Sequence, residues 1–268
     1  MNSRDTFDTH FNAADVLLSV YRLLESDDGP HTSHALIAAL RPAIASHQDE
    51  DLILLFNQLF VGVVRDRANL KPKFFQPVTM TLLLRQSVVA ACSALDVFVP
   101  HLLQSHLADV VRIRQRNFLP NNGDVRSLMA DFRLKLEDIW PLAEEPSLDE
   151  RWNKITQRVL DHLGNKTLSN DAGISAALAL LGIEEPWKQI ARRVGEPETP
   201  LRDKLKKIVS RRNDIVHRAD RSRTDPEGEP QTIDFTWAQN HVGAVQTIAY
   251  ACYDLTRARA LELRASGE

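Results

Sequence analysis

The sequence predicts an all-α fold, and three observations predict it. Nearly every apolar segment repeats at spacings of three and four residues, the signature of one helix face. Strand-like alternation is nearly absent. Only 10 glycines occur in 268 residues, too few for a loop-rich β architecture. The expected elements follow in order. Val16, Leu17, Val20 and Leu24 mark a first helix, which Asp27-Asp28-Gly29-Pro30 ends. Helical spacing continues over 34–45 and 52–64. Two prolines make 71–77 a connection, and a domain boundary is placed there. Residues 78–99 then form the most apolar helix, hydrophobic nearly all round and therefore buried on most sides. Pro100 kinks or ends it. Helical spacing returns over 102–117, 124–139, 148–163 and 171–181. A turn with Pro186 and Gly195 leads to a helix over 201–218, a polar loop over 221–231, and a last helix over 235–263. The stripe of that last helix is Trp237, His241, Ala244, Val245, Ile248, Cys252 and Leu255. Residues 1–70 are thus an N-terminal helical extension, and 71–268 the main helical domain.

Composition narrows the function classes. Hydrophobic residues make up 43% and charged residues 26%, as in an ordinary globule rather than a disordered chain. The net charge of −3 gives no global basic field, so any nucleic-acid site is a local patch. Cys92 and Cys252 both lie in apolar helical segments, where reduced buried thiols are expected. The N-terminus has no signal peptide, and Arg85, Gln86 and Asp96 interrupt the longest apolar stretch, against a membrane span. These features fit a cytoplasmic protein with no membrane partner.

Polar residues on apolar faces point to the site. At about 100° per residue, Leu205, Ile208, Val209, Ile215, Val216 and Ala219 form one stripe, and Arg212 falls in its middle. A charge there is costly unless it is paired or used. Asn213 and His217 lie four residues apart on the flank of the stripe, while Lys207, Arg211, Asp214 and Arg218 form a solvated outer face. On the apolar helix, Arg85, Val89, Cys92, Asp96 and Val99 recur along one line. A cross-helix pair of Arg212 with Asp96 is therefore expected. Such a pair is either a structural device that fixes helix register or part of a polar site. Arg suits a phosphate, His suits proton transfer near neutral pH, and Asn can orient the imidazole. Together they suffice for RNA cleavage without a metal, with the 2′-hydroxyl as nucleophile.

The segment Arg211-Arg212-Asn213-Asp214-Ile215-Val216-His217, late in a helical chain, resembles the R-x(4–6)-H signature of HEPN domains. The helix over 85–98 resembles the early core helix of that family, with Asp96 at its commonly acidic position. Leu181-Gly182-Ile183-Glu184-Glu185-Pro186-Trp187 looks like the RiboL-PSP branch. The resemblance covers about 75–268. It implies an antiparallel helical bundle that dimerises to form a composite site. It further implies a metal-independent endoribonuclease, often a toxin or an effector of phage defence. Arg212, Asn213 and His217 carry over as catalytic residues, with Asp96, Arg85 and Arg211 in support. Some members of the family have lost catalysis and serve as RNA- or protein-binding and dimerisation modules. An antitoxin or a sensor protein is a further partner of the kind the family has.

Arg192, Arg193, Arg202, Lys204, Lys206, Lys207, Arg211, Arg218, Arg221 and Arg223 surround the motif, either as a solvated face or as an RNA backbone track centred on Lys207, Arg218 and Arg221. His31, His34, His101 and His106 lack ligand spacing and are expected to be surface residues, and His241 is expected in the core. No Gly-rich phosphate loop or G-x-S-x-G occurs, and no cofactor is expected.

Overall fold

A computed structural model describes residues 2–25, 77–115, 118–222 and 224–266. Among them every regular element is a helix: α1 Ser3–Glu25, α2 Pro77–Arg114, α3 Gly123–Leu128, α4 Leu136–Glu144, α5 Leu148–Leu163, α6 Asp171–Leu180, α7 Pro186–Val194, α8 Glu198–Arg218 and α9 Phe235–Ser266. The expected segments at 34–45 and 52–64, the connection at 71–76, and His31 and His34 lie outside the described residues.

The long helix α2 is the axle, packed by α1, α5, α8 and α9. Its buried residues include Leu84, Val88, Cys92, Leu95, Phe98, Leu103 and Leu107, so it is covered on most sides as its composition requires. It is the one described helix long and apolar enough to cross a membrane, and 56% of its apolar window is packed inside the protein. Pro100 does not end it. The two segments expected on either side form one helix through to Arg114. The proline removes the amide that would bond the Asp96 carbonyl. Burial of Leu102, Leu103, Leu107, Val110 and Val111 beyond it outweighs that loss.

Helix α1 turns a different stripe inward than expected. Phe7, Phe11, Ala14, Leu18 and Tyr21 are buried, whereas Val16 is exposed. Phe7 stacks on Phe11 and meets Phe98 edge-on, so α1 shares one core with α2. On α9 the expected Ala244, Val245, Ile248 and Cys252 are buried, joined by Ala238, Val242 and Ala249, while Trp237, His241 and Leu255 at the edge of the stripe are half-buried.

Two local differences have clear causes. The expected helix over 124–139 is divided: the Asn122 side chain caps α3, the chain leaves helical geometry after Leu128, and an Asp138 box restarts it at α4. The turn expected between Pro186 and Gly195 is instead helix α7, with proline at its first turn and Gly195 ending it at φ 78°. Trp187, Ile190 and Ala191 bury its inner face.

Candidate functional site

Helix α8 carries two adjacent arginines about 100° apart around its axis, and the fold gives them different surroundings. Its buried residues are Leu201, Leu205, Ile208 and Ile215. Val216 and Ala219, expected in this stripe, are exposed.

Arg212 points toward α2 and meets Asp96 at 3.4 Å from Nη2 to Oδ2, as the helical phases predict. Its Nε is buried without a hydrogen-bond acceptor. Asp96 also accepts a hydrogen bond from the Ser169 hydroxyl, just before α6. Gly173 makes that placement feasible, because a Cβ there would lie 2.6 Å from the Leu168 Cα. Arg212 also touches the Cys92 thiol. Burial pushes that thiol up to about 12 even though the neighbouring guanidinium favours its thiolate. Cys252 is likewise buried, free, and pushed up to about 12 by desolvation.

Asn213 is half-buried and His217 is exposed. Neither makes a side-chain hydrogen bond to another described residue. Arg212, Asn213 and His217 thus present donors and an imidazole along one side of α8, with Asp96 behind the arginine.

Arg211 corrects an expectation. It is not part of a solvated face: its side chain is 14% exposed and pairs with Asp220, which is fully buried. Arg211 Nε lies 2.5 Å from Asp220 Oδ1, and Nη2 donates to Asp220 Oδ2 at 2.9 Å. The same nitrogen reaches the Gln231 and Thr232 carbonyls at 3.0 Å, and the guanidinium lies 5.5 Å from the Trp237 ring centre. Arg85 completes the knot from α2. Its Nε donates to Asp220 Oδ2 at 2.6 Å, Nη1 to Thr81 Oγ1 at 2.6 Å, and Nη2 to the Gln231 carbonyl at 2.9 Å. Two arginines therefore share one buried carboxylate. Asp220 follows the end of α8 with φ 66°, after Ala219 at φ 49°, and its amide donates to the Asp214 carbonyl.

Asp214 and Arg218 also leave the expected solvated face, because they pair with each other and are half-buried. Arg221 Nε donates to the Gly228 carbonyl at 2.9 Å. Among the other cations, Arg202 pairs with Asp171 and Glu198, Lys204 with Glu196, Lys206 with Asp171, and Arg193 with Asp254. Lys207 and Arg192 are exposed and make no such pair among the described residues, while Arg223 lies outside them. The basic cluster is thus largely internally neutralised.

The sequence also missed the pairing of Trp237 with His241, whose rings stack 4.1 Å apart. His241 Nδ1 donates to the Trp237 carbonyl at 2.8 Å, and burial holds its pKa below the ordinary value. His101 and His106 are half-buried rather than surface residues, and His101 Nδ1 shares a 2.9 Å hydrogen bond with Ser3 Oγ. No group of three or more His, Cys, Asp or Glu residues suited to a metal occurs among the described residues.

Comparison with known families adds to this geometry. The family model described as RiboL-PSP-HEPN matches residues 65–236, more than half of the chain. The chain belongs to the RiboL-PSP-HEPN family. The all-helical architecture agrees with that membership, and the segment 211–217 and the core helix with Asp96 both fall inside the match. No curated protein and no solved structure matches the chain.

Proposed function

We propose that this HEPN protein is a metal-independent endoribonuclease whose working residues are Arg212, Asn213 and His217. Membership of the family supports an RNA-directed role. The observation that carries the finer reading is the loose pairing of Arg212: a 3.4 Å contact to a part-exposed carboxylate and a touch on the Cys92 thiol, with Nε lacking an acceptor. An arginine in that condition has donors left for a phosphate. In the proposed reaction the RNA 2′-hydroxyl attacks the adjacent phosphorus. His217 takes or delivers the proton, and Arg212 stabilises charge building on the phosphate oxygens. Asn213, one turn before His217 and not hydrogen-bonded to it in the RNA-free protein, swings to orient the imidazole when RNA binds. The products are a 2′,3′-cyclic phosphate and a 5′-hydroxyl end. Asp96 holds Arg212 in place between turnovers, Arg85 and Arg211 brace the end of α8, and Lys207, Arg218 and Arg221 lie beside the path of the backbone.

In this reading a homodimer brings two copies of the motif into one composite site. The protein acts in the cytoplasm as a toxin or phage-defence effector, held in check by an antitoxin or a sensor protein. The defining experiment incubates wild type and His217→Ala with total RNA in EDTA. Cleavage by wild type alone, leaving 2′,3′-cyclic phosphate ends, is the expected result. Cleavage by both proteins alike overturns the role of His217.

One observation favours a second reading, a non-catalytic module that binds RNA or a partner protein. His217 has no orienting hydrogen bond to any described residue, whereas catalytic histidines are usually fixed by one. That reading predicts RNA retention by both proteins with no cleavage by either.

A further inference from the structure

A second cationic site lies far from the α8 motif. The turn between α6 and α7 passes through Gly182 at φ 82°. A Cβ on this residue would sit 3.2 Å from the Arg114 Cζ and 3.3 Å from the Arg259 Nε. Those distances place the two guanidinium groups no more than 6.5 Å apart, over bare backbone. Arg114 comes from the last turn of α2 and Arg259 from α9. Like charges that close repel unless an anion lies between them.

The local carboxylates do not provide that anion in full. Arg259 Nη1 donates to Glu262 at 2.8 Å, but its Nε is buried with no acceptor. Arg114 makes no hydrogen bond or ion pair to another described residue. Glu184 borders the same space without an ion pair to either arginine. Two concavities of about 340 and 440 Å³ meet at this turn and share Gly182, Ile183 and Glu184. Arg259 lines the first and Arg114 the second, so the guanidinium pair stands at their junction.

We infer that Arg114 and Arg259 form a clamp for the phosphate group of a small ligand, with the flanking concavities holding the rest of the molecule. A guanidinium presents a planar fork of donors, and one carboxylate has two oxygens, enough for a single fork. Two guanidinium groups flanking one small space suit the several acceptor oxygens of a phosphate. The combined space falls within the ordinary range for small-molecule sites. The site stands about 27 Å along α2 from Asp96, at 1.5 Å per residue, so it is separate from the proposed cleavage site and does not depend on it. The φ of 82° favours glycine at 182, and a side chain there would press both guanidinium groups aside.

Equilibrium dialysis with labelled inorganic phosphate, at ionic strength fixed by sodium chloride, tests the clamp. Wild type should bind saturably at concentrations up to about 10 mM. Arg114→Gln and Arg259→Gln should each weaken binding about tenfold or more, while the exposed Arg133→Gln should not. Thermal unfolding confirms that the variants are folded, and Arg114→Lys, which keeps the charge and loses the fork, serves if Arg114→Gln is not. Absence of saturable binding by wild type overturns the proposal, as do folded variants that bind like wild type. Succinate displacing phosphate at equal concentration would assign the clamp to carboxylates instead and overturn the phosphate assignment.

Discussion

Arg211 and Arg212 are neighbours in sequence and opposites in structure. Arg211 is enclosed: a fully buried carboxylate, two carbonyls and a tryptophan ring surround it. Arg212 has a longer contact to a carboxylate that is itself part-exposed and shared with Ser169, and it touches the Cys92 thiol. Both are charges turned toward the protein interior, and both meet an aspartate. The difference lies in how many donors are already committed. A guanidinium held by a fully buried carboxylate and two carbonyls fixes the fold, whereas one held by a longer, part-exposed pair can bind a ligand and then release it.

Several substitutions break or sharpen that contrast, beginning with the largest effect. Asp220→Asn leaves Arg85 and Arg211 buried against a neutral amide. It should cost about 3–5 kcal/mol of unfolding free energy, measured by urea denaturation. Arg211→Gln should fall in the same class, at about 3 kcal/mol or more. Arg212→Gln should cost about 1 kcal/mol, because Asp96 keeps Ser169 and access to water. Equal losses at 211 and 212 would remove the distinction. Ala219→Gly relieves a left-handed backbone at the end of α8 and should stabilise by about 1 kcal/mol. The smallest effect is on acid stability. Burial lowers the pKa of His106, opposed by Asp109 and reinforced by Arg264 and His101. The unfolded chain therefore binds the proton more readily than the folded one. Stability from this group is complete above pH 6.5, the ordinary histidine value, and declines as pH falls through it. His106→Asn should flatten the urea midpoint between about pH 7 and about pH 5, which lie on either side of that value.

The contrast was half legible in the sequence. Helical phase alone put Arg212 inward on α8 and Asp96 inward on α2, because both lie inside long regular helices where the period holds. The same reasoning placed Arg211 outside, and that failed for a physical reason. The chain beyond α8 folds back through Asp220 and Gln231 and covers that flank, and periodicity carries no information about a loop. Asp220 itself lies past the helix end in a left-handed turn, beyond the reach of any stripe. One signal was available: Arg85 is inward on α2 and needs a carboxylate that no other inward position supplied. Helix α7 was hidden by its proline and paired arginines, although Trp187, Ile190 and Ala191 sit at helical spacing between that N-terminal proline and a C-terminal glycine. The fold class was the most legible feature, because it rests on the whole chain rather than on one turn. The Arg114 and Arg259 clamp was the least legible, since its parts come from two helices and a turn separated by more than 60 residues each.

The most direct test of the central claim measures RNA cleavage and unfolding free energy together for Arg212→Gln and Arg211→Lys. The account predicts that Arg212→Gln keeps nearly all of its stability and loses cleavage, while Arg211→Lys loses stability and, where still folded, keeps cleaving. Cleavage that survives in folded Arg212→Gln would contradict it.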